Sequence, residues 1–79
     1  MAIIHLVPRG IVTKDKALAD EIYEYLKGVG VEVERYSEPD WEKVYVRGLS
    51  GAEVLQLLKA KYGGRNDLEV YLFMSRVYL

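Results

Sequence analysis

A chain of 79 residues, 51% hydrophobic and 29% charged, has the composition of one small globular domain, read as residues 1–79, and not of a disordered segment. A formal net charge of −1 lacks the basic footprint expected of a nucleic-acid binder, and the absence of cysteine excludes disulfides and thiolate chemistry. No apolar run approaches the ~20 residues that span a bilayer, and the opening MAIIHLV has no basic leader, so a cytoplasmic location is the default expectation.

In chain order, residues 3–7 form a short apolar run that Pro8 ends, because proline has no N–H to continue a strand ladder. Residues 6–10, LVPRG, read like the linker that thrombin cleaves, but the first strand needs residues 3–7, so the stretch is taken as part of the fold. Arg9-Gly10 reads as a hinge and Thr13 as the cap of a first helix. The apolar stripe of that helix is Leu18, Ile22, Tyr25, Leu26 and Val29, and Gly28 and Gly30 close it. Val31 and Val33 alternate with Glu32 and Glu34, the pattern of a strand with one wet face. A turn over residues 37–43 follows, carrying Glu38-Pro39-Asp40-Trp41; a tryptophan in such an acidic turn is a frequent interface anchor.

Residues 43–62 are the most legible part of the chain. Val44, Tyr45, Val46 and Arg47 alternate with strand period, and Gly48 permits a sharp turn. Ser50 and Glu53 have capping-box spacing, which predicts a helix starting near Gly51. Val54, Leu55, Leu58 and Tyr62 give its buried stripe, widened by Leu57, and Gly63-Gly64 ends it. Arg65, Asn66 and Asp67 then lead into residues 68–79, read as one long final strand.

Aligned on Arg9-Gly10 and Arg47-Gly48, the chain divides into two βαβ halves, about 3–36 and 43–79. Two such units give an α+β fold of βαββαβ order, resembling ferredoxin-like domains: a four-stranded antiparallel sheet with two helices on one face. The first and third strands would be central, the two hinges at opposite ends, and the final strand at an edge. Burying branched aliphatics turns Ile4, Leu6, Val31, Val33, Val44, Val46, Val70, Leu72 and Met74 toward the helices. The open face then carries Ile3, His5, Val7, Glu32, Glu34, Tyr45, Arg47, Tyr71, Phe73 and Ser75.

His5, Tyr45, Arg47, Tyr71 and Phe73 are therefore the leading binding or interface candidates. Rings on an uncovered sheet face can meet a second copy, and they can also stack unpaired bases. Residues 43–63 resemble the first strand and helix of the RNA-recognition motif through Val44, Tyr45, Val46, Arg47, Gly48 and Leu49. That resemblance implies that Tyr45 is a stacking ring; the companion motif with paired aromatics has no counterpart. An apolar final strand with Arg76 as its only late charge would invite pairing with a symmetry mate.

Weaker anion-binding candidates are Arg9, Gly10, Lys14 and Gly48, which lie at or near predicted helix starts. Neither hinge has the pattern of a glycine-rich phosphate loop. Acylphosphatases share the fold size, but their asparagine and second arginine are missing. The stand-alone ferredoxin-like amino-acid-binding domains are a further resemblance, without their glycine-and-aspartate ligand motif. His5 is the lone histidine and has no ligand set or nucleophile at matching spacing, so no metal, cofactor or catalytic residue is expected.

The expectation is a non-enzymatic interaction module, homo-oligomeric through the final strand or the open face. Single-stranded RNA or DNA binding on that face is the alternative. One Asn and one Gln against eight Glu, six Lys and five Arg is a bias associated with proteins that work at high temperature.

Overall fold

The structure, a computed structural model, describes residues 2–79. Three hairpins are separated by two helices. Strands β1 (Ala2–Val7) and β2 (Gly10–Thr13) precede α1 (Lys16–Gly28); β3 (Val33–Ser37) and β4 (Glu42–Val46) precede α2 (Gly51–Tyr62); β5 (Leu68–Leu72) and β6 (Ser75–Val77) end the chain. All six strands join one mixed sheet in the order β3-β4-β2-β1-β5-β6, in which only the β1–β5 pair is parallel. The α+β class holds, but the sheet has six strands and is not the four-stranded antiparallel one expected. Read from β2 onward, the elements still follow βαββαβ order, with β1 inserted between β2 and β5.

Two short strands account for the difference. Pro8-Arg9 makes a turn that brings Val7 opposite Gly10, so the expected hinge is the tip of a hairpin, and GIVT is its second strand. Thr13 continues that strand and does not cap the helix: its hydroxyl donates to Ile3 O at 2.8 Å and accepts from Asp15 N at 3.3 Å. The cap is Asp15, whose Oδ1 accepts from Leu18 N at 3.0 Å. At the other end of the chain, Phe73 and Met74 reverse the backbone, splitting the predicted long strand into β5 and β6.

The capping box at Ser50 forms in full, Glu53 N donating to Ser50 Oγ and Ser50 N to Glu53 Oε1. Gly64, at φ +82°, lies just beyond the end of α2. One core holds Ile4, Leu6, Ile11, Val44, Val46, Leu68 and Val70 from the sheet with Leu18, Ile22, Leu26, Val54, Leu55, Leu58 and Tyr62 from the helices. The predicted parity is thus met along β1, β4 and β5, and Val33 on β3 packs against this core from its edge. Met74 is 96% exposed in the last turn and not inward; Val29, at 50%, lies beyond the α1 stripe. Ser75 pairs with Leu72 and shares its face, opposite to the expected one.

Tyr62 is buried at the base of α2, and its phenol donates to Glu21 Oε1 at 2.7 Å. Burial and the Glu21 carboxylate both push its pKa well above the ordinary phenol range, so it stays a neutral donor. Among the described residues no helix is long and apolar enough to cross a membrane.

Candidate binding face

Both helices pack on one side, so the opposite side of the sheet is left without a covering layer. Strand registers assign its residues. Glu34 and Tyr36 come from β3, Lys43 and Tyr45 from β4, Gly10 and Val12 from β2, Ile3, His5 and Val7 from β1, Glu69 and Tyr71 from β5, and Arg76 from β6. Three of the five leading candidates, His5, Tyr45 and Tyr71, stand on this face as expected. Arg47 lies just past the end of β4, with its guanidinium 3.7 Å from Glu34. Phe73 is not on the sheet: it is in the β5–β6 turn at φ +57°, 57% exposed.

The rings form two groups. His5 stacks on Tyr71 at 5.5 Å between centroids and 21° between planes, and meets Trp41 edge to face at 5.9 Å and 78°. Tyr36 and Tyr45 tilt together at 5.2 Å on the β3–β4 side. Trp41 and Tyr36 were absent from the leading set. Trp41, Lys43 and Tyr45 share strand parity, so extending the alternation of the central strand back two residues would have found the tryptophan. Tyr36 shares parity with Glu34 in the same way.

The charges on and around this face are mostly neutralised in pairs. Besides Arg47 and Glu34, Arg76 lies 3.5 Å from Glu69 and Lys43 Nζ lies 2.8 Å from Glu38. The hydrogen bond to Glu38 holds the Lys43 ammonium pKa above its ordinary value. The Tyr36 phenol donates to Glu34, and Tyr71 to Glu69 at 3.2 Å; the Glu34 bond raises the Tyr36 pKa. Among the described residues the Lys14 ammonium makes no ion pair and no hydrogen bond. It sits 5.0 Å from the centre of the Trp41 ring, a cation–π approach.

The anion-binding candidates do not come together. Arg9, in the β1–β2 turn, and Gly10, which starts β2, are at one end of the sheet, and Lys14 follows β2 at the other. Gly48, at φ +77°, belongs with the first pair: β2 and β4 are antiparallel, and Val46 N donates to Arg9 O at 2.7 Å. The two Arg-Gly dipeptides are therefore at the same end of the sheet and not at opposite ends. Around Lys14, a cleft of about 540 Å³ opens between the start of β1 and the turn before β4, lined by Ile3, His5, Thr13, Asp15 and Trp41. Among the described residues no group of three His, Asp or Glu side chains converges to hold a metal ion. Comparison of the chain with protein-family models, with curated proteins and with solved structures gave no match.

Proposed function

We propose that this protein is a non-catalytic interaction module that associates with a second copy of itself through the open face of its sheet. The observation that carries the reading is the combination of ring-rich surface and internally paired charge on that face. His5, Trp41, Tyr71, Tyr36 and Tyr45, with Ile3 and Val12 between them, supply apolar area that water solvates poorly. Arg47, Arg76 and Lys43 already have carboxylate partners, so a like surface meets no uncompensated block of charge.

The final strand contributes less than its sequence promised. Its apolar run folds back at Phe73-Met74, which leaves a three-residue edge, β6, too short to template extended pairing. Weight therefore moves from the final strand to the face.

Light scattering coupled to gel filtration tests this directly. The wild type is expected at twice the 9.1 kDa of one chain and Tyr71→Glu at the monomer mass. A wild type that stays monomeric at about 100 μM, a concentration at which interfaces of ordinary strength assemble, would refute the reading.

A second reading, single-stranded RNA or DNA laid across the same rings, is favoured by Lys14 standing free beside Trp41. It requires anisotropy of a labelled oligonucleotide to rise with protein, fall with salt, and be lost in Tyr45→Ala.

A further inference from the structure

The cleft at the Lys14 end of the sheet differs from the rest of the open face in its chemistry. Its walls are two rings at nearly a right angle, His5 and Trp41, 5.9 Å apart and inclined by 78°. Because Tyr71 already stacks on one face of His5, a flat ring entering this corner has Trp41 as its main aromatic contact, parallel or edge-on being the two arrangements that aromatic quadrupoles favour. Ile3 supplies an aliphatic wall. The cleft, about 540 Å³, is within the range of small-molecule sites.

Its polar groups sort into committed and uncommitted ones. The Thr13 hydroxyl donates to Ile3 O and accepts from Asp15 N, and Asp15 Oδ1 accepts from Leu18 N, so both are held by the fold. Uncommitted among the described residues are the Lys14 ammonium, the Trp41 indole N–H, the His5 imidazole and the second carboxylate oxygen of Asp15, three donor-bearing groups against one that only accepts. Lys14 and Trp41 are donors in every protonation state they adopt near neutral pH, and His5 offers at least one N–H. The free hydrogen-bonding capacity of the cleft is therefore weighted toward acceptor-bearing, negatively charged ligands, and its walls toward flat ones. Asp15 at the rim selects against polyanions, because its carboxylate lies beside the same opening.

We propose that this cleft binds a small flat aromatic ring carrying a single anionic group, with the ring against His5 and Trp41 and the anion on Lys14. A nucleoside monophosphate and an aromatic carboxylate share this chemistry. The site is complete within one chain, and because His5 and Trp41 also lie on the face proposed for association, a second copy seated there competes with the ligand.

Trp41 is the only tryptophan, so its emission reports on the cleft and, through its place on the open face, on association, which the Tyr45→Glu comparison separates. Adenosine 5′-monophosphate, benzoate, adenosine and inorganic phosphate are titrated separately, with excitation selective for tryptophan. Wild type, Lys14→Ala and the face variant Tyr45→Glu are compared. The expected result is saturable change with at least one of the two ring-bearing anions, and binding at least about fivefold weaker for adenosine and for phosphate. Lys14→Ala should weaken the anion by a similar factor while leaving far-UV circular dichroism and melting unchanged, and Tyr45→Glu should retain binding. Whichever of monophosphate and benzoate binds tighter identifies the source. No saturable change with either anion up to about 10 mM, or unchanged affinity in Lys14→Ala, overturns the proposal. Loss of binding in Tyr45→Glu, with its fold intact, would overturn the claim that one chain completes the site and leave self-association to be judged by mass.

Discussion

At Gly10 the backbone has φ +148° and runs so close to β4 that a Cβ would lie 2.0 Å from Val44 O and 3.0 Å from Tyr45 Cα. Both are main-chain atoms of the neighbouring strand, so nothing flexible can yield. Gly10→Ala is expected to cost about 3 kcal/mol from combined strain and overpacking, read as a lower urea midpoint at unchanged slope. Phe73 presents the opposite case. It holds φ +57°, a conformation that side chains rarely adopt, at the tip of a two-residue turn, with more than half of the residue exposed. Phe73→Gly should raise stability by about 1 kcal/mol through relief of that strain, observed as a higher urea midpoint. A lower midpoint would mean that the contacts of the ring outweigh the strain of its backbone.

Among the elements, the β3–β4 hairpin shows how an edge is tied down. Arg35 reaches Asp20 on α1 at 3.1 Å and Glu42 on β4 at 2.6 Å, and Ser37 donates to the same Glu42 oxygen at 2.6 Å. The Ser37 hydroxyl first, and then the Arg35 guanidinium, hold the Glu42 carboxyl below the ordinary carboxylate range. A folded pKa lower than the unfolded one adds stability that is complete above the unfolded value and is lost as pH falls through the folded value. The melting temperature should therefore fall on acidification below about pH 5, and Glu42→Gln should flatten part of that decline. A residual decline is expected from Glu53 and Asp67, whose pKa values are lowered in the same direction by the Ser50 backbone N–H and by Arg65. An unchanged acid profile in Glu42→Gln would show that this cluster is not formed in solution.

The same scale explains what could be read from the chain. Helix α2 was legible to the residue because Ser50, Glu53 and the stripe from Val54 to Tyr62 are local signals that all agree. The first hairpin was not, because a four-residue strand gives too few alternations to distinguish from a hinge, and Thr13 is as good a cap in principle as Asp15. What decides between them is the partner strand: Thr13 lies opposite both Ile4 and Glu42, a long-range pairing with no local signature. The last turn was hidden for a related reason, since Phe73-Met74 is among the poorest dipeptides for a turn and reads as continuing strand. Sheet parity survived these errors on β1, β4 and β5, because each strand was phased by its own buried aliphatics. Three of the five leading face residues consequently fell where expected, while Phe73 and Arg47 lay beyond the strand ends.

For the whole molecule, a one-sided α+β layer of 79 residues leaves one face of a six-stranded sheet without a second layer. Small domains have little apolar burial to spare, so a ring-bearing face that could be covered is a natural site of association. The β1 insertion matters here. By separating β2 from β5 it widens the sheet and puts His5 between Trp41 and Tyr71, making one continuous group of three rings. Without that strand the tryptophan and Tyr71 would belong to different neighbourhoods.

The most direct test of face-to-face association is an isotope-filtered nuclear Overhauser experiment on a mixture of labelled and unlabelled chains. Contacts between copies are predicted from the His5, Tyr45 and Tyr71 rings across the open face. Contacts confined to β6, or to the helices, at a concentration where the mass is that of two chains would contradict the account.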